Sequence, residues 1–301
     1  MSHTLVIITG PTAVGKTEVA IKLAKMLETE IISCDSRQMY RELSIGTAVP
    51  TASQLKEVKH HFIHNISIHD YYNAYIFEEQ SLKVLDELFK KHKVIIMTGG
   101  SGLYIDALMY GIDDLPTIDL ELRDKLTVRL SEEGIESLRN ELRICDPEYY
   151  QIVDLKNPKR ILKALEIYYM TGKPYSSLLT REKRKRNFNI ILIGLNIDRQ
   201  VLHERINFRV DEMLKEGLIA EARKYYPHKH LNSLNTVGYK ELFDHFNGKS
   251  SLEEAIELIK RDTRRYARRQ LTWLRRYSNL KWFSLEQVDE IKEYILLNIN
   301  S

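Results

Sequence analysis

At 301 residues, with 43% hydrophobic and 29% charged residues, the chain has the composition of a folded globular protein, long enough for two ordinary domains or one sheet-based domain carrying an insertion. The net charge of +3 is too small to name a partner, and Cys34 and Cys145 lie too far apart for a disulfide framework or a zinc ribbon, so a reducing cytoplasm is expected. The apolar run Leu5 to Ile8 starts almost at the first residue and no apolar stretch approaches the roughly 20 residues of a bilayer span, so neither a leader nor a membrane location is expected.

Thr4 to Thr9 is apolar and β-branched, Lys16 to Leu27 has helical periodicity, and Glu30 to Ser33 is apolar again, which together predict a βαβ unit. The loop between the first strand and the helix reads Gly10-Pro11-Thr12-Ala13-Val14-Gly15-Lys16-Thr17 and satisfies G-x-x-x-x-G-K-[ST] in the strand–loop–helix context the motif requires. Its glycines let backbone amides turn toward phosphate oxygens at a helix N-terminus, Lys16 adds a full positive charge, and the Thr17 hydroxyl suits Mg²⁺. The second strand ends at Asp35, a carboxylate on the edge where parallel sheets bind ligands; the same residue could instead cap a helix.

Further along, His60, His61, His64 and His69 lack neighbouring Cys or carboxylates in ligand pattern, so no zinc is assigned. An amphipathic stretch with Leu82, Leu85, Leu88 and Phe89 leads into a strand, Val94 to Met97, and then Thr98-Gly99-Gly100-Ser101-Gly102. An ATPase would carry a second, metal-holding acid at such a strand end, and none is there, so ATP hydrolysis is disfavoured. Leu122, Leu126 and Leu130, then Ile135, Leu138 and Leu142, predict two short helices. A third, Lys159 to Met170, is marked by Asn157 as N-cap, Pro158 at its first position and Gly172 with Pro174 beyond its end.

The basic cluster Arg181-Glu182-Lys183-Arg184-Lys185-Arg186 closes this helical region, and Ile190 to Leu195 returns as a late strand. Asp198 then caps a helix to about Gly217, on which Arg205 and Arg209 share a face, either reaching phosphates or pairing with Glu204, Asp211 or Glu212. A long final helix from Leu252 to about Arg276 sets Arg261, Arg264, Arg265 and Arg268 on one side, continued by Arg269, Arg275 and Arg276. Ile256, Ile259, Tyr266, Gln270 and Leu274 lie on the packing side. Two basic elements favour a nucleic acid over a small anion. The fold expected is α/β, a P-loop NTPase-like parallel sheet flanked by helices with a mostly helical insertion, divided 1–110, 111–186 and 187–301.

Six motifs in order, G-P-T-A-V-G-K-T from Gly10, D-S-R-Q-M-Y from Asp35, I-G-T-A from Ile45, G-G-S-G-L-Y from Gly99, N-P-K-R-I-L-K-A-L-E from Asn157 and R-Q-L-T-W-L-R from Arg269, resemble the tRNA dimethylallyltransferase family of bacterial type over almost the whole chain. The resemblance implies transfer of a dimethylallyl group from dimethylallyl diphosphate to N6 of adenosine 37 beside the tRNA anticodon, with release of diphosphate. It makes Asp35 the general base, with Lys16 and Arg209 assisting the departing diphosphate. It assigns tRNA contacts to Asp35, Ser36, Arg37, Gln38, Ser101, Arg123, Lys159, Arg160, Ile161, Leu162 and Lys163. A monomer is expected. Ser101 stands where the family commonly has threonine and keeps the hydroxyl; Val14 stands where a small serine is usual; a bacterial type without the zinc-finger extension of eukaryotic relatives is expected. The rival readings are an adenylate isopentenyltransferase, which has no use for the basic helix, a small-molecule kinase, resting on the loop alone, and a non-catalytic RNA-binding switch, which leaves Asp35 and Thr17 without a task.

Overall fold

The computed structural model describes residues 3–117, 119–180 and 183–299. The chain forms two compact units, Met1–Tyr110 with Lys185–Ser301, and Gly111–Arg184. In chain order the first unit begins with β1 (Thr4–Thr9), α1 (Lys16–Met26), β2 (Ile31–Ser33), α2 (Ala52–Glu57), β3 (His60–His61), α3 (Ala74–Phe89), β4 (Val94–Gly99) and α4 (Gly102–Tyr110). The second unit holds α5 (Leu120–Cys145), α6 (Pro147–Ile152) and α7 (Pro158–Thr171). The first then resumes with β5 (Asn189–Leu195), α8 (Arg199–Lys215), α9 (Leu218–Tyr225), α10 (Tyr239–Phe246), α11 (Leu252–Leu274), β6 (Lys281–Phe283) and α12 (Val288–Asn298).

The six strands form one parallel sheet in the order β3-β2-β4-β1-β5-β6. β1 and β4 are buried along their whole length, as continuous Val/Ile runs covered on both faces require. Pairing of Thr9 with Gly99 and of Ser33 with Thr98 brings the carboxyl ends of β1, β4 and β2 level. The glycine loop, the turn at Gly100 and Asp35 therefore leave the sheet side by side, on the edge where such sheets bind ligands.

The helix signals in the second unit act as the sequence suggests. Asn157 accepts from the Arg160 amide and Gly172 closes α7 in the left-handed region, at φ 68°. The two helices expected between Leu122 and Leu142 are the halves of α5, parted at Gly134, whose φ of 77° and ψ of 175° no other residue adopts at ease. Their apolar faces close a core of Leu126, Leu138, Leu142, Ile161, Ala164 and Leu165. Two expectations need correction. The helix ending at Leu274 is not the last element: β6 adds an edge strand beside β5, and α12 packs Ile291 and Ile295 into the sheet core. Arg186, read as part of an RNA-facing cluster, is an interior residue of the first unit; it pairs with the fully buried Glu78 at 2.7 Å and donates to the Leu108 and Ala107 carbonyls. Arg181 and Glu182 of that cluster lie outside the described residues.

Candidate active site

The loop after β1 wraps from Gly10 to the start of α1, with Gly15 at φ 109° as the residue before the helix. That conformation is left-handed, so a glycine is needed there, and it turns the first amides of α1 outward. The Lys16 ammonium donates back to the Gly10 and Pro11 carbonyls at 3.0 and 2.8 Å. Burial, and next the Arg209 guanidinium, pull its pKa down to about 8, against the opposing pull of Asp35. Lys16, Thr17, Asp35, Arg205 and Arg209 line a common cavity of about 430 Å³. The Thr17 hydroxyl has no hydrogen-bond partner among the described residues.

Asp35 uses one carboxylate oxygen to hold its own turn: Oδ1 accepts from the Arg37 amide at 2.9 Å and the Gln38 amide at 3.4 Å. No helix starts here, so the carboxylate closes a turn rather than capping a helix, and Oδ2 is left unengaged among the described residues. Ser101, from the turn after β4, accepts from the Ser36 amide at 3.0 Å and donates to the Ser36 hydroxyl at 3.2 Å. Beyond this turn lies a second cavity of about 120 Å³ whose lining includes Asp35, Thr12, Arg209 and Tyr266. Asp35, Thr12 and Arg209 face both cavities.

The choice left open for α8 is decided by its neighbours. Asp211 pairs with Lys260 and Glu212 with Lys215, while Glu204 accepts from Gln200. Arg205 and Arg209 line the large cavity instead, and Arg209 donates to the Thr12 hydroxyl at 3.4 Å.

Other expected contacts divide. Arg37 spends its guanidinium on the Asn232 and Ser233 carbonyls at 3.1 and 3.2 Å, and Gln38 holds the Thr47 and Ala48 carbonyls. Within the second unit, Lys159 and Arg160 are exposed on the first turn of α7 and Lys163 is half-buried. Ile161 is fully buried in that unit's core, so its side chain is withdrawn from any RNA, and Leu162 packs against the same cluster. Arg123 is bound to Glu166 through two 2.7 Å hydrogen bonds, with Glu166 1% exposed. Arg268 and Arg269 on α11, and Arg275 at its C-cap, are exposed. Arg264 bonds Asn207, Arg261 and Arg265 pair with Asp262, and Arg276 pairs with Asp106 and covers the Trp273 ring. The basic face is therefore shorter than its arginine count suggests.

Sequence reading missed two residues that shape the site. Gln270, taken as packing, bonds the Thr12 amide and the Gly100 carbonyl. Glu221 accepts from the Ser44, Ile45 and Gly46 amides at 2.9 to 3.0 Å and from the Tyr239 hydroxyl, and so fixes the loop that lines the large cavity. Gln270 stood inside a quoted motif, which was a usable signal; Glu221 carried none. The histidines are held by ordinary partners, His60 by the Val58 carbonyl, His61 by Glu30 and His64 by Ser44.

Comparison with known proteins places this geometry in context. The model of a family described as IPP transferase matches residues 38–277. The chain is 51% identical over 298 residues to a tRNA dimethylallyltransferase 1 of Bacteroides fragilis, covering 99% of each. It is 52% identical over 302 residues to a tRNA dimethylallyltransferase of Christiangramia forsetii, covering the whole of both. The crystal structure of the full-length tRNA isopentenylpyrophosphate transferase from Bacillus halodurans superposes with a TM-score of 0.72 at 35% identity, covering 99% of this chain and 97% of that one. A eukaryotic dimethylallyltransferase captured acting on tRNA shares the fold, with a TM-score of 0.79 at 24% identity over 98% of this chain and 78% of that one.

Proposed function

The chain belongs to the IPP transferase family, and from that premise we propose that it transfers a dimethylallyl group from dimethylallyl diphosphate to N6 of adenosine 37 in tRNA. The observation that carries the proposal is that Asp35, Lys16 and Arg209 line one cavity, a base beside a diphosphate-sized cationic cradle, while the strand that would carry a hydrolytic acid runs into Gly99-Gly100-Ser101. An allylic diphosphate needs its leaving group neutralised and has no use for an activated water.

Lys16 is the counter-charge for the departing diphosphate, together with the loop amides and Arg209; fixed donors aimed at developing charge are the largest common source of rate. Binding an anion there releases the ammonium from the loop carbonyls it now holds. Thr17 fits Mg²⁺, a hard ion that takes oxygen ligands and needs few from protein when phosphates complete its shell, and its hydroxyl lines the cavity without another partner among the described residues. Bound there, the ion would neutralise part of the diphosphate charge.

As the bond from N6 to the allylic carbon forms, the bond from that carbon to the diphosphate oxygen breaks, and the amine proton passes to Asp35. Its Oδ2 serves this step because Oδ1 is held by backbone amides. Adenosine 37 has to leave its stack to react, at a cost of a few kcal/mol. The second cavity, which shares Asp35 with the first and has Tyr266 in its lining, supports entry of the base there. Lys159, Arg160 and the exposed arginines of α11 supply phosphate contacts. The test is incubation with labelled dimethylallyl diphosphate, Mg²⁺ and unmodified tRNA, with AMP and ATP in parallel. Label in tRNA alone is expected; label in AMP supports the free-nucleotide enzyme instead.

A further inference from the structure

α11 presents a carboxamide, Gln270, to the carboxyl edge of the sheet, where it is only 7% exposed. Its Oε1 accepts from the Thr12 amide at 2.8 Å, and its Nε2 donates to the Gly100 carbonyl at 2.9 Å. One side chain thus ties the loop after β1 to the turn after β4. From Gly100 the chain passes directly to Ser101, whose hydroxyl holds the Ser36 amide next to Asp35. On the other side, Thr12 receives Arg209.

The fit is specific in space and in chemistry. A Cβ at position 100 would meet the Gln270 amide nitrogen well inside contact distance, although Gly100 is not in the left-handed region, so a side chain there would push the carboxamide off the Gly100 carbonyl rather than strain the backbone. An apolar side chain of equal length at 270 would leave a half-buried amide and a buried carbonyl without this partner, and a carboxylate would set an oxygen against the Gly100 carbonyl. A carboxamide satisfies both.

The geometry points to Gln270 as a positioning residue for the transfer: it sets the spacing between the loop that grips the leaving diphosphate and the turn that carries Ser101 beside Asp35. This inference rests on the loop being the diphosphate site. It also explains why a buried amide sits on the packing face of a helix whose other buried residues there are Ala255, Ile259, Ala267 and Leu274.

The test uses full-length Gln270→Met and Gly100→Ala proteins and the double variant. The readouts are affinity for inorganic diphosphate with Mg²⁺ by calorimetry, tRNA affinity, kcat and KM for dimethylallyl diphosphate, and thermal midpoint. Each single change is expected to weaken diphosphate binding about tenfold. Each should also lower kcat on the order of 10², because loop and turn lose register. Neither should move tRNA affinity more than about twofold, and the double variant should be no worse than the poorer single, since both remove the same link. Losses that multiply in the double variant, or a Gln270→Met protein with unchanged kcat, overturn the positioning role. So does a kcat that falls only in step with the thermal midpoint. Should Gln270→Met not fold, Gly100→Ala decides: reduced kcat with tRNA affinity kept supports the role, and unchanged kcat overturns it. Wild-type protein that binds no diphosphate overturns the reading of the loop itself, a failure distinct from that of Gln270.

Discussion

In the first unit Lys16, Asp35 and Arg209 turn toward a shared cavity, all three steadied by backbone or hydroxyl groups of the loops rather than by a charged partner. In the second unit charged groups are matched to one another: Arg123 with Glu166, and Arg129 with Glu133 and Glu141. Charge alone therefore does not distinguish a site from a scaffold. What distinguishes them is whether a polar group's partners are fixed within the fold or are left to be completed by a ligand.

Substitutions at the two kinds of position should fail in different ways. Asp35→Asn is expected to lower kcat by about 10² to 10⁴, the usual worth of a general base, with tRNA and donor affinities within a few-fold and the thermal midpoint unmoved. Steady-state kinetics would show it, and unchanged turnover would remove Asp35 from its role. Arg123→Ala should do the reverse. It strands the buried Glu166 carboxylate and should destabilise the protein by about 3 kcal/mol, the low end for breaking a buried pair because Arg123 is 37% exposed. Denaturant unfolding measures this, and replacing both partners by leucine should recover most of it. A stable Arg123→Ala protein with weakened tRNA binding would instead return Arg123 to the RNA contacts.

Smaller effects sharpen the same contrast. Gly134→Ala meets nothing within 4 Å, so its cost, about 1 to 3 kcal/mol, is backbone strain alone and belongs to stability, not to turnover. The smallest effect concerns pH. Burial holds the Lys16 pKa near 8, so the free protein loses this positive charge as pH rises through about 8, and diphosphate affinity should fall there. A bound anion favours the charged form and raises that pKa, so binding near pH 8 should take up a proton. Calorimetry in buffers of different ionisation enthalpy reads the uptake; its absence would mean Lys16 is already fully charged in the free protein.

The contrast also explains what could be read without coordinates. The glycine loop is legible because its chemistry is local: Gly15, Lys16 and Thr17 are adjacent, and the strand before and helix after them are periodic. Asp35 is legible because a strand end in a parallel sheet has a defined edge. The caps of α7 are local too. Gln270 and Glu221 act on segments 258 and about 175 residues away, and no spacing rule spans such distances. Arg186 and Ile161 mislead for a related reason: the first sits in a charge run and the second in a motif, but burial is decided by Glu78 in one case and by the α5 leucines in the other. β6 escapes notice because three residues carry no periodicity.

The central claim is that the glycine–lysine–threonine cradle holds a diphosphate leaving an isoprenoid, not a nucleotide about to be cleaved. The direct measurement is the stoichiometry of phosphate products against modified nucleoside, with tRNA, dimethylallyl diphosphate and ATP all present. One diphosphate released per N6-(dimethylallyl)adenosine formed, with no orthophosphate from ATP, is the result expected. Orthophosphate released from ATP while the tRNA adenosine gains no carbon would contradict it.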